Sequence, residues 1–227
     1  EATHEAIVID PGDNIAQILG ILKKHALKAT AIIITHAHID HIGGAAKLKA
    51  ATGAPVHMNA NDAPLYNDID SQAAWLGIEP PERTAIDVNA QNGQVVKLAD
   101  KEFHILHTPG HTPGSCSFYV PRAKALLSGD SLTGSAGSGR FPLLSDVVAY
   151  RHTVLAVQRL DVEFVGPAHR SPSRPPLGAV ETPARHGDLA RRFLADTLTT
   201  ALDVEAGAVE AWQSDRHAPR AAMVTEA

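Results

Sequence analysis

Three imidazoles and a carboxylate fall within six residues, His36-Ala37-His38-Ile39-Asp40-His41. Such groups cannot enter a protein interior unless each finds a partner. The run follows the β-branched stretch 31–34 and precedes Gly43-Gly44 and an Ala/Lys/Leu-rich helical segment over 44–51, stopped by Gly53. It therefore lies at the carboxyl end of a buried strand, where α/β proteins place their sites. Alternate side chains of an extended turn, His36 and His38, can converge on one ion. Asp40 and His41 then open the helix and face a neighbouring position. Zinc accepts imidazole nitrogen and carboxylate oxygen at about 2.0–2.2 Å.

The surrounding pattern is α/β. Residues 6–10 form a short apolar run closed by Pro11-Gly12, and Asp13 or Asn14 can cap the helix that follows. Ile15, Ile18, Leu19 and Leu22 lie at i, i+3, i+4 and i+7, one apolar helical face. Residues 54–58 read as a third strand. Further on, 95–98 and 102–107 read as two strands around a turn at Ala99-Asp100. Residues 115–120 and 125–128 read as two more, so the four suggest an antiparallel meander. A helix is expected over 144–160 and a strand over 162–165. The insert 59–83, with Tyr66 and Trp75, either walls a pocket or packs on itself.

The organisation expected is a catalytic domain over 1–170, whose first strand continues from sequence preceding Glu1. It is followed over 171–227 by a proline-rich connection, an amphipathic helix carrying Leu189, Phe193, Leu194 and Leu198, and a loose tail.

Composition narrows the function. The chain has 227 residues, one cysteine (Cys116) and a net charge of −5. A disulfide framework and a cysteine-rich zinc module are excluded. The acidic balance argues against a nucleic-acid partner. No apolar run approaches the roughly 20 residues that cross a membrane. A single thiol and the lack of a signal-type apolar segment set the expectation of a cytoplasmic chain. Histidine is in excess, at 13 residues. His111 lies on a Pro/Gly turn after a strand, in HTPGHTPG, Asp130 ends the strand LLSG, and His169 follows the strand ending in GPA. Each is a ligand type at a strand exit. His107, four residues before His111, is a candidate for a supporting contact. His4, His25, His57, His104, His152, His186 and His217 have no ligand context and are assigned to surface or packing. Cys116 is read as a small buried filler.

Over residues 6–170 the chain resembles the metallo-β-lactamase superfamily. The resemblance rests on HxHxDH at His36–His41, TPGHT at His111, SGDSL at Asp130 and the late His169. It implies a four-layer αββα sandwich of two mixed sheets. It further implies two divalent metal ions, with zinc expected and iron or manganese also suited. By position, His36, His38 and His111 would bind one ion and Asp40, His41 and His169 the other. Asp130 would bridge them, and Asp10, in the DPG turn, would support the ligands from behind. Asp40 and Asp130 would thereby also serve catalysis.

Within the superfamily the chain is most similar to short glyoxalase II-like hydrolases. Gly137-Ser138-Gly139-Arg140-Phe141 is similar to that branch's GCGRF, in which the basic residue anchors a glutathione carboxylate. Here the segment stands one residue further from Asp130, and Pro142 follows it. The lactone hydrolases' tyrosine, three residues past the bridging Asp, is Thr133 here. The implied activity is thioester hydrolysis of a small-molecule substrate by a metal-bridging hydroxide, with Arg140 at the substrate. Three alternatives stay open: a mononuclear-iron persulfide dioxygenase, a β-lactam or lactone hydrolase, and a non-catalytic metal-binding module. The sequence leaves the oligomeric state open.

Overall fold

Strand β1 (Glu5–Ile9) pairs in parallel with β2 (Lys28–Ile33), β2 with β3 (Val56–Met58), and β3 with β4 (Val88–Asn89). The pairing positions in this computed structural model, which describes residues 3–132 and 144–169, give the order β1-β2-β3-β4. Parallel neighbours need crossover connections, and helices supply them. Helix α1 (Ile15–Lys24) joins β1 to β2, and α2 (Ile39–Ile42) and α3 (Ala45–Thr52) join β2 to β3. The expected face of α1 points inward: Leu22 is buried, and Ile15, Ile18 and Leu19 pack on the same core. Ile32, Ile34, Val56 and Leu48 form the centre of that core and are fully buried. The α1 start differs from expectation. Asn14 occupies the cap position in a left-handed conformation with no side-chain cap bond, while Asp13 Oδ1 accepts from Asn14 N at 2.6 Å. The DPG turn leads the chain into the helix and leaves no extended residue to cap it.

The insert between β3 and β4 is helical. A 3-10 turn opens it, with the Asn59 side chain accepting from Asn61 N. Helices α4 (Ala63–Asn67) and α5 (Ile69–Leu76) follow, and Gly77 ends α5 at φ 68°. Tyr66 is buried, its hydroxyl donating to Thr84 O at 3.1 Å and accepting from Thr84 N at 2.7 Å. Trp75 by contrast is 84% exposed. The hairpin β5 (Val95–Leu98) and β6 (Lys101–His107) turns at Ala99, with φ 55°, as the sequence predicts.

The chain divides into two compact units, Glu1–Leu106 and His107–Ala227. Within the second, β7 (Cys116–Val120) pairs antiparallel with β8 (Ala125–Gly129). Helix α6 (Val147–Val157) starts at Asp146, whose side chain accepts from Ala149 N at 2.9 Å. It leads to β9 (Phe164–Pro167), which pairs in parallel with β8. Strand β9 sits two residues later than the apolar pattern suggested, because Val162 is buried ahead of the strand. Cys116 is buried, with its Sγ 3.5 Å from Gly114 O, consistent with a packing role. The chain is thus α/β with two sheets, of four and five strands. Mixed pairing occurs in the second sheet, whereas every described pairing of the first is parallel. The segment expected as connection, helix and tail lies outside the described residues. Among the described residues, no helix is long and apolar enough to cross a membrane.

Close backbone approach fixes the start of the first unit. A Cβ on Gly12 would collide with the carbonyl of Asp40, whereas one on Gly20, within α1, would meet nothing within 4 Å. Gly12→Ala is expected to destabilise the chain by about 3 kcal/mol or more, since backbone must move. Gly20→Ala should stabilise it by about 0.5–1 kcal/mol through helix propensity. Urea unfolding of both variants checks the pair, and equal effects would refute this packing.

Candidate metal centre

The first cluster is built at the carboxyl ends of β1 and β2. Asp10 follows β1 in a left-handed conformation, φ 50°. Its Oδ1 accepts from Thr35 N at 2.7 Å, and its Oδ2 accepts from the Thr35 hydroxyl at 2.7 Å. The same Oδ2 lies 2.9 Å from His41 Nδ1. Because the Thr35 hydroxyl proton goes to Asp10, its oxygen accepts from His36 Nδ1 at 3.1 Å. One carboxylate thus sets the tautomers of two histidines. His36 and His41 are both buried, and each has its Nδ1 engaged on the Asp10–Thr35 side of its ring.

His38 presents its other nitrogen. Its Nδ1 lies 2.9 Å from His36 Nε2. Ligands bound at about 2.0–2.1 Å to one ion stand about 3–4 Å apart, so this pair is near that spacing. His36 and His41 stack obliquely, with ring centroids 3.9 Å apart. The Asp40 side chain, 53% exposed, reaches to 3.5 Å from His41 Nε2. The pairs His36/His38, His36/His41 and Asp40/His41 each bring ligand atoms to within 4.8 Å of one another.

The second unit carries His111, Asp130 and His169. Asp130 leaves β8 just after Gly129, and His169 leaves the adjacent parallel β9 just after Ala168. The bond from Ala168 N to Gly129 O, 3.1 Å, aligns the two exits. Asp130 Oδ2 lies 3.5 Å from His169 Nε2 and 3.7 Å from His111 Nε2. The turn that carries His111 is held on several sides. Gly110 O accepts from Ser145 N at 2.7 Å and Asp146 N at 3.0 Å, and Pro109 O accepts from the Thr153 hydroxyl of α6 at 2.7 Å. Gly110 has φ 134°, and a Cβ there would meet Tyr150 at 2.5 Å, so glycine is required. His107 Nε2 lies 2.8 Å from Pro113 O, which braces the far side of the turn. Ser131 and Ser117 each hydrogen-bond the Thr108 hydroxyl at 2.9 Å, tying the exit of β8 to the start of that turn.

Arg140 lies outside the described residues. Among the histidines assigned to packing, His57 is partly buried on β3, and burial lowers its pKa against the opposing pull of Asp87. Several supporting residues were not legible beforehand: Thr35, Asp62, Gln72, Thr108 and Ser131. Thr35 had one signal, its place directly before the histidine run. The others sit far away in sequence or in ordinary polar contexts.

Residues 1–169 match the family model of the metallo-beta-lactamase superfamily, and the chain belongs to that superfamily. It is 42% identical over 146 residues to an uncharacterized protein of Aquifex aeolicus, covering 63% of this chain and 67% of the relative. It is 33% identical to the hydroxyacylglutathione hydrolase GloC of Haemophilus influenzae, covering 60% of this chain and 66% of that protein. The chain thus spans about two thirds of the length of these curated relatives. Among solved structures it is similar to TTHA1623 in a di-iron-bound form, at 34% identity and TM-score 0.63, covering 73% of this chain and 81% of that one. By class it is a metal-dependent hydrolase.

The Thr35 hydroxyl relays between Asp10 and His36. Thr35→Val keeps the shape and removes the relay, leaving a buried imidazole N–H without its acceptor. We expect a loss of about 1–3 kcal/mol in urea unfolding, with Thr35→Ser close to the parent chain. Equal stabilities of the valine and serine variants would contradict the relay.

Proposed function

We propose that the chain is a binuclear metal hydrolase that cleaves thioesters of the hydroxyacylglutathione type. By position in the family motifs, His36, His38 and His111 would hold one ion, Asp40, His41 and His169 would hold the second, and Asp130 would serve as a ligand to both. The observation that carries the reading is the ring orientation in the first cluster: Asp10 and Thr35 engage Nδ1 of His41 and His36, and His36 Nε2 meets His38 Nδ1 at 2.9 Å, near the spacing of two ligands on one ion. A histidine oriented by a carboxylate is the usual support of a metal ligand. The donor set of imidazoles and carboxylates fits zinc, and iron or manganese as well.

When bound, two divalent cations supply an acidified water as nucleophile and a Lewis acid for the carbonyl oxygen. The chain's own residues do the positioning. Asp10 and Thr35 fix two imidazoles, the bracing of Gly110 and Pro109 fixes the turn of His111, and Asp130 stands beside both His111 and His169. The thiol released from a thioester has a pKa of about 8.5, so its thiolate departs without a dedicated general acid. That suits an arrangement made of metal-ligand types. The similarity to GloC supports the thioester, and the Gly-Ser-Gly-Arg segment ending at Arg140 supports a carboxylate-bearing substrate.

Elemental analysis is expected to return about two metals per chain. Asp130→Ala should keep the fold, lose bound metal and lose at least ~100-fold in turnover. A substrate panel of thioester, lactone, β-lactam and persulfide decides the reaction. One iron per chain with oxygen consumption would replace the hydrolase by the dioxygenase, and near-parental turnover of Asp130→Ala would remove Asp130 from the ligands.

Arg140→Ala should weaken a carboxylated thioester by about 1.5–3 kcal/mol, roughly 10–150-fold in kcat/KM. Hydrolysis of a small uncharged thioester should change little. Equal losses on both substrates would show that Arg140 reads no carboxylate.

A further inference from the structure

We infer that Asp62 and Gln72, both from the insert between β3 and β4, are positioning residues for the metal ligands His36 and His38. The inference rests on the metal-hydrolase reading above and assigns the insert a part in it.

The backbone between the end of β2 and the start of α2 has left the strand ladder. Its last ladder bond runs from Ile34 N to His57 O, 2.9 Å. Beyond that point side chains take over. The Asp62 carboxylate, fully buried, accepts from Ala37 N at 2.9 Å. The Gln72 amide does two things at once: its Oε1 accepts from Ile39 N at 3.0 Å, and its Nε2 donates to Ala37 O at 3.2 Å. Ala37 O and Ile39 N belong to the peptides on either side of His38, so Gln72 grips both. Ala37 N belongs to the peptide that joins His36 to Ala37, and Asp62 holds that one. The three consecutive peptides from His36 to Ile39 are thus held by two side chains of one distant insert.

Both holders are themselves anchored. Gln72 Nε2 also lies 3.2 Å from Leu65 O, at α4. Asp62 N donates to Asn59 O at 3.1 Å, at the mouth of the insert. Burial of Ile69 and Ala73 on α5 fixes the helix on which Gln72 rides. Ligand nitrogens must hold their positions within a few tenths of an ångström to share an ion. A free loop of Thr-His-Ala-His would not meet that demand. The Asp10 relay orients the His36 and His41 rings, and the insert fixes the backbone from which His36 and His38 project.

The test uses cobalt(II) as probe and the whole chain. Gln72→Met keeps the length and apolar bulk of the side chain and removes all three hydrogen bonds. Three quantities are read: Co(II) affinity by competition with a chelator, the Co(II) d–d absorption bands, and urea unfolding of the chain in the presence of chelator. We expect Gln72→Met to bind Co(II) about 10–100-fold more weakly, with shifted d–d bands. Gln72→Glu keeps the acceptor for Ile39 and should show a smaller loss in the same direction, and it serves as the variant if Gln72→Met does not fold. Parental affinity and bands in the variant, with only its unfolding changed, would overturn the inference while leaving the metal reading intact. A parent chain that takes up no Co(II) would overturn both.

Discussion

One carboxylate organises the first cluster. Asp10 gathers the Thr35 amide, the Thr35 hydroxyl and the His41 ring on its two oxygens, and through Thr35 it reaches His36. Charge-assisted bonds of this kind are shorter and about twice as strong as neutral ones. They also offset the unfavourable left-handed conformation that Asp10 adopts, which costs a β-carbon-bearing residue roughly 1–2 kcal/mol. That conformation turns the chain sharply into Pro11-Gly12, and the turn brings Gly12 against the carbonyl of Asp40. The carboxylate, the tight turn and the short helix α2 are therefore one packed object. Changing any one moves the others.

The sequence disclosed the parts of this object that are local. His36, His38, Asp40 and His41 stand in a single run whose meaning is set by its place after a buried strand. Asp10 stood out through the turn that follows it. The β1, β2 and β3 strands, the apolar face of α1 and the hairpin at Ala99 followed from periodicity and turn chemistry, because those signals act within a few residues. Asp62 and Gln72 did not stand out. Each is an ordinary polar residue on a short helix, and what makes it matter is a partner about 25 to 35 residues away. The sequence of the insert is compatible with wall and packing alike, since its helices are brief and their apolar periodicity is short. Tyr66 is buried on the Thr84 backbone, while Trp75 is exposed. The Asn14 cap failed for a similar reason: a cap must be extended, and the preceding turn denies it that geometry.

In the second unit the decisive constraint is strand register. Asp130 and His169 are distant in sequence, yet both leave the sheet at the same level because Gly129 pairs with Pro167. Successive side chains of a strand point to opposite faces, so a slip of one residue between β8 and β9 would turn one of the two ligand types away. The register is irregular between Leu127 and Gly129, and Gly129 takes φ 51°. An irregularity at a strand exit re-aims the side chain that follows it. Asp130 is that side chain, and its Oδ2 ends within 3.7 Å of both histidine Nε2 atoms. Buried hydroxyls then hold the exit from one side, with Ser131 bonded to Thr108. A uniformly regular strand would have been easier to pair and would have pointed Asp130 elsewhere. The geometry of the carboxylate thus depends on a local defect that the pairing of β8 with β9 on one side and with β7 on the other is strong enough to hold.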